Sequence, residues 1–266
     1  MQKNGNSTGQ PTPLIQSLDR GLVILETVGR SSDPVSLGEL TNVLGIDRSS
    51  AFRLANTLRR RGFLAYPSGR KDYILGPSLW RLSHQYNWSN MLIRVSREHL
   101  KSMASQINET AHLAVREGKN ALFIDHAAAN NVISISGQTG ELVPLYCTAH
   151  GKALLADCDK SELKIMFGSG PLRSFTAKTI TTIERLDQTC AQIKAAGFAI
   201  DDAEYVEGTR CVAAPIRGQG GVVIGSIGIS APLLRFPQER VSVYGKQICE
   251  IAGQISAILS NPAQQG

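Results

Sequence analysis

No stretch of this 266-residue chain approaches the roughly 18 consecutive apolar residues of a membrane-spanning helix, so no membrane partner is expected. Residues 1–13, polar and carrying Pro11 and Pro13, lack the apolar core of a signal peptide and read as a disordered tail; residues 261–266 read as a second tail. Five cysteines without a CxxC pair exclude a disulfide framework and point to a reduced cytoplasm; Cys147, Cys158, Cys190 and Cys249 read as small core residues. His84, His99, His112 and His126 have no metal-ligand spacing, although His112 and His126, each on a strand, can face one another. The glycine-rich "GQGGVVIG" runs into a strand rather than a helix, so it is not a phosphate loop. No nucleophile–base–orienter set is visible. No cofactor, metal or catalytic residue is therefore expected, and the chain does not read as an enzyme.

The most informative absence is local. Between Arg48 and Lys71 there is no acidic residue, while seven cations stand there: Arg48, Arg53, Arg59, Arg60, Arg61, Arg70 and Lys71. A one-sign stretch over a well-formed apolar pattern is the footprint of a surface that meets phosphates. Of the chain's 28 basic and 22 acidic residues, residues 1–76 hold ten and six, a net +4 of the total +6. The basic character belongs to the N-terminal part.

That part has the pattern of a winged helix-turn-helix. Ser17 is the expected cap of a first helix with Leu18, Leu22, Leu25 and Val28 as its apolar repeat and Gly29 as its stop. Ser36 and Glu39 have capping-box spacing ahead of Leu37, Leu40 and Leu44. Gly45 suits a sharp turn, and Asp47 a cap on the next helix. In that helix Ala51, Leu54, Ala55 and Leu58 share one face, with Ser49, Arg53, Asn56 and Arg60 opposite and Phe52 at the border. Small polar, amide and guanidinium groups near a helix N-terminus suit base edges in a major groove. Ser49, Ser50, Phe52, Arg53 and Asn56 are the candidate base readers. Arg48, Thr57 and Arg59, with Arg70 and Lys71 from a turn between strands "FLAY" and "DYIL", are the candidate phosphate contacts.

The expected organisation is a winged helix-turn-helix over 14–76, a linker helix over 77–90 opened by Pro77, and a second domain over 91–260. In the second domain a helix from Met91 precedes strands "AHLAVRE", "ALFIDHA" and "VISIS". Helices follow near 149–157, 161–167 and 183–196, then "FAIDDAEYVEGTRCVAAPIR", a strand "VVIGSIGIS" and a closing helix over 237–259. Strands without regular βαβ alternation indicate an α+β fold on an antiparallel sheet.

The segments "SLDRGLVILE", "RSSAFRLANTLRRRGF", "YILGPSL", "TAHGKALLA", "AAGFAIDDAEYVEGTRCVAAPI" and "GSIGISAP" resemble, in order, those of the IclR family of bacterial transcription regulators. The resemblance runs from about Leu14 to Leu259. It implies a DNA-binding regulator of a catabolic operon, repressor or activator, with a GAF-like effector-binding domain for a small organic or aromatic acid. It also implies a homodimer, with assembly into a tetramer left open, on a near-palindromic double-stranded operator.

By the same resemblance the backbone amides of Ala149 and His150 would hold the effector's carboxylate. Asp201, Cys211 and Ser230 would supply polar contacts, and Val132, Ile135 and Val143 an apolar wall beside Thr209. Two departures from the family pattern are Gly228, expected to remove a hydroxyl and add volume, and His150, expected to donate or stack. Together they suggest an effector larger than a two- or three-carbon keto acid. The alternative is a redox- or metal-responsive regulator acting through Cys211.

Overall fold

The computed structural model describes residues 14–67, 70–85, 87–129, 131, 135 and 137–260. The chain divides into two compact units, residues 1–87 and 88–266.

In the first unit α1 (Gln16–Arg30), α2 (Leu37–Leu44) and α3 (Arg48–Arg60) precede a hairpin of β1 (Leu64–Ala65) and β2 (Ile74–Leu75), followed by α4 (Pro77–Gln85). Ile24, Val28, Leu40, Ala55, Leu64 and Tyr73 form its core. Ser36 and Glu39 close a capping box on α2, and Gly45 (φ 60°) ends it in the left-handed conformation. Asp47 caps α3.

Two expectations for α1 are corrected. Its cap is Ile15, which makes no side-chain bond, so Ser17 lies inside the helix; Gly29 keeps a helical φ and the helix continues to Arg30. The expected apolar stripe also splits. Val28 is buried and Leu25 half-buried against the core, whereas Leu18 and Leu22 are exposed. The second strand of the wing is shorter than its sequence suggests because Tyr73 leaves the hairpin to bridge Val35, with both backbone bonds made, at 2.9 and 2.7 Å.

In the second unit α5 (Asn87–Ile107) leads into β3 (Thr110–Glu117), β4 (Asn120–Ala127) and β5 (Leu142–Pro144). Then come α6 (Ala149–Leu154), α7 (Lys160–Phe167), α8 (Ile183–Ala196), β6 (Ala199–Asp202), β7 (Thr209–Arg217), β8 (Val223–Pro232) and α9 (Val241–Ser260). The expected linker over 77–90 is thus shared between two helices, α4 closing at Gln85 and α5 opening at Asn87. Of the expected strand "VISIS", only Ile135 lies among the described residues, and it is not in a strand.

The six strands form one antiparallel sheet in the order β5-β4-β3-β8-β7-β6. Side chains alternate across it, as strand geometry requires. Leu113, Val212, Ala214, Ile227 and Ile229 face the apolar core with Leu100 and Met103 of α5 and Ile248 and Ile255 of α9. The intervening residues are small or polar. Cross-strand register sets Asp201, Cys211, Ser230 and Thr110 in one row, and Ala213, Gly228, His112 and His126 in the next. Ala149 and Ala153 of α6 cluster with Ala199, Ala213 and Cys211 on this polar side.

Candidate functional site

The cationic face of the first unit is built on α3. The Asp47 carboxylate accepts from the Ser50 amide at 3.0 Å and from the Ser49 hydroxyl at 2.6 Å. Those bonds hold its pKa well below the usual carboxylate range. Arg48, Ser49, Phe52, Arg53, Thr57 and Arg59 are exposed, and Ser50 and Asn56 are half-buried.

Several of these groups are pre-positioned by their neighbours. The Arg53 guanidinium donates to the Ser50 hydroxyl at 3.3 Å, and that of Arg59 to the Asn56 amide oxygen at 3.0 Å. Arg59 also lies 5.0 Å from the centroid of the Tyr66 ring. The Thr57 hydroxyl donates back to the Arg53 carbonyl at 2.8 Å, so it must turn outward to donate to a phosphate. Arg70 and Lys71 are exposed beside the wing tip, whose residues 68 and 69 lie outside the described ones. A stretch from Arg48 to Lys71 with seven arginines and lysines and no acid suits a polyanion; the capped helix start suits base edges.

The polar side of the second unit's sheet encloses a cavity of about 280 Å³. It is lined by eight of the ten residues expected at the effector site: Ile135, Val143, Ala149, His150, Asp201, Thr209, Cys211 and Ser230. Val132 lies outside the described residues. Gly228 is corrected: it does not line the cavity, and a side chain there has no room. A Cβ on it would stand 2.3 Å from the Val212 carbonyl oxygen and 2.6 Å from the Ala213 Cβ, so the glycine permits close strand approach rather than adding volume.

Thr148 caps α6, its hydroxyl accepting from the Gly151 amide at 3.0 Å. That leaves the amides of Ala149 and His150, in the first turn, without an intrahelical acceptor. Asp201 is 3% exposed and accepts from the Glu204 amide at 2.7 Å. Burial pushes its pKa up to about 7, against the pull of that amide and of Lys152. The Lys152 ammonium is buried in an ion pair with Glu204. Among the described residues no Lys or Arg lines the cavity.

His150 is 2% exposed, its Nδ1 3.0 Å from the Ser226 hydroxyl; burial, then His112, pull its pKa down to about 3. Its ring meets those of His112 and Phe123 edge-on, at 6.0 and 5.3 Å between centroids. His112 and His126 do pair across β3 and β4, with ring centroids 6.4 Å apart.

The redox or metal alternative gains no support. Burial, and then Asp201, raise the Cys211 thiol's pKa, which disfavours the reactive thiolate. No trio of His, Cys, Asp or Glu among the described residues could hold a metal ion.

Sequence reasoning missed His112, Phe123, Gly137, Glu141, Tyr205 and Val206 as lining residues. The signal available for His112 was alternation: it lies on the same strand face as Thr110, which pairs with Ser230.

A wider hollow of about 520 Å³ opens near the start of α8, with Lys152 and Glu204 on its lining. Lys178, also on its lining, is already paired with Asp202 at 2.7 Å.

Comparison with known proteins gives each unit a family match. Residues 17–68 match the family profile described as the IclR helix-turn-helix domain, and residues 84–257 the one described as bacterial transcriptional regulator IclR C-terminal. The chain is 31% identical to the HTH-type transcriptional regulator BhcR of Paracoccus denitrificans over 91% of its own length and 86% of that protein. It is 26% identical to the transcriptional repressor IclR of Escherichia coli, over 96% and 94% of the two chains. The crystal structure of the Thermotoga maritima IclR superposes with a TM-score of 0.73 at 26% identity, over 93% of this chain and 100% of that one. These relatives are transcription regulators and not enzymes.

Proposed function

The chain belongs to the IclR family of bacterial transcriptional regulators, and from that premise we propose that its second unit senses a small organic acid and thereby controls how the first unit holds DNA. The observation that carries the effector reading is the cavity itself: orphan amides at the start of α6, a near-neutral Asp201 and apolar walls, with no Lys or Arg among its described lining residues. Amides at a helix start stabilise an anion without a cationic side chain. Asp201 accepts from a ligand hydroxyl when ionised, and donates when protonated.

In this reading two protomers pair and each lays α3 into a major groove of a near-palindromic operator, with the wing on neighbouring phosphates. The exposed Leu14, Leu18 and Leu22 give the first unit an apolar strip for that pairing. Ser49, Ser50, Phe52, Arg53 and Asn56 read bases; Arg48, Thr57, Arg59, Arg70 and Lys71 hold phosphates. Effector binding shifts the equilibrium between two placements of the DNA-binding units by binding one more tightly. Action in the cytoplasm on a catabolic operon belongs to the same reading.

The test is thermal unfolding of the full chain against a panel of small carboxylates, from glyoxylate and pyruvate to hydroxybenzoates and sugar acids. A ligand at about a hundred times its dissociation constant adds about 2.7 kcal/mol and raises the midpoint by several degrees. A panel without any shift contradicts the effector reading and leaves DNA binding intact.

A further inference from the structure

The root of the wing reaches the recognition helix through one side chain. Arg59 and Asn56 stand one turn apart on α3, and the Arg59 guanidinium donates to the Asn56 amide oxygen at 3.0 Å. An arginine only donates, so the end of the amide that it holds is the carbonyl oxygen, and the NH2 end is left for a base. A free asparagine presents either end to a base edge, whereas a held one presents a single end.

The holder is itself held. Tyr66, the residue after β1, places its ring centroid 5.0 Å from the Arg59 guanidinium carbon. That ring lies against Tyr73, with centroids 5.2 Å and planes 45° apart, and its hydroxyl donates to the Tyr73 hydroxyl at 3.4 Å. Tyr73 is 1% exposed and is fixed by both backbone bonds to Val35, just ahead of the α2 cap. An unbroken run of contacts thus joins a core residue to Asn56. Tyr66 is the exposed member of the aromatic pair, at 37%, and stands outside the apolar core, so its ring serves Arg59 more than it serves the fold.

We propose that Tyr66 is a specificity-determining positioning residue that touches no base: through Arg59 it fixes which end of the Asn56 amide meets the operator. This rests on the DNA-binding reading above, in which Asn56 reads a base. Arg59 serves both roles, since one N–H on Asn56 leaves four others for a phosphate. The base that the held amide reads must offer an acceptor, as a purine N7 does and a cytosine N4 does not. Loss of the Tyr66 ring releases Arg59 and with it the amide. Ordering one side chain in advance is worth about two- to tenfold in affinity, realised only on the sequence that the held amide fits.

The experiment is fluorescence anisotropy of the full chain on duplexes that the wild type enriches from a randomised pool, with each base pair of a half-site replaced in turn. Asn56→Ala locates the pair that Asn56 reads, as the position whose replacement no longer costs affinity. At that pair Tyr66→Leu should lose about two- to tenfold of discrimination, with discrimination elsewhere and the salt slope unchanged. Tyr66→Phe, which keeps the ring, should keep the discrimination. In an Asn56→Ala background Tyr66→Leu should change discrimination no further. Undiminished discrimination in Tyr66→Leu, equal weakening at every position, or a further loss in the double variant overturns this inference alone. Arg59→Met leaves the two tyrosines in place and keeps the test decisive if Tyr66→Leu folds poorly. It should weaken all duplexes through the lost charge and also lose discrimination at the Asn56 pair; uniform weakening alone refutes the proposal. A wild type that enriches no sequence, or an Asn56→Ala variant that discriminates as before, overturns the base-reading assignment and this inference with it.

Discussion

Replacing Asp201 by Asn should make the protein more stable, and by an amount that depends on pH in a defined way. The unfolded chain ionises an aspartate near 3.8, whereas the buried Asp201 holds its proton until about 7. Between those values the native state binds more protons than the unfolded one, so stability falls as pH rises and levels off above about 7. Three pKa units at about 1.36 kcal/mol each amount to a penalty on the order of 4 kcal/mol at neutral pH. Asn removes that penalty while its carbonyl oxygen keeps accepting from the Glu204 amide. His112 and His150, buried neutral, act in the opposite direction: their contribution is full above 6.5 and is lost as pH falls through about 4 and about 3. They are common to both proteins and cancel in the comparison. Urea unfolding of the wild type and Asp201→Asn from about pH 4.5 to about pH 8 should show a stability difference that widens up to about 7 and then stays constant. A difference that does not change with pH refutes the reasoning, since the buried carboxyl would then have no raised pKa.

Gly228→Ala should destabilise the second unit by about 1–3 kcal/mol, because the added methyl meets the backbone of β7, which cannot rotate away. Gly253→Ala, in open space on α9, should instead gain about 1 kcal/mol, and equal midpoints for the two variants in urea would contradict the packing argument. Replacing Arg70 and Lys71 together by Ala should weaken binding to all duplexes alike. The slope of log affinity against log salt should fall by about two if both contact phosphates. Anisotropy titrations on specific and scrambled duplexes check this, and loss of sequence discrimination at an unchanged slope would contradict the assignment.

What the sequence made legible was local. The capping box at Ser36 and Glu39, the left-handed turn at Gly45 and the Asp47 cap depend on neighbours within a few residues, and all three appear in the structure. Asp201 and Cys211 stand opposite each other because one hairpin joins their strands, a relation that spacing along the chain carries. Alternation puts His112 on the strand face of Thr110, but that this face borders the cavity depends on the register of β3 against β8, more than a hundred residues away. Gly228 was misread for the same reason: the atoms that forbid a side chain there belong to β7. Ser17 was misread locally, since a serine near a helix start resembles a cap even when the chain enters the helix earlier, from Ile15.

That no Lys or Arg stands among the described lining residues of the cavity bears on which acids the proposed effector reading would exclude. On that reading a singly charged acid would leave water for the two amides at the start of α6, whereas a phosphate ester or tricarboxylate would have to shed the hydration of further charges, with the Lys152 ammonium already committed to Glu204. Dehydration, more than size, would then set phosphorylated acids apart from their unphosphorylated parents.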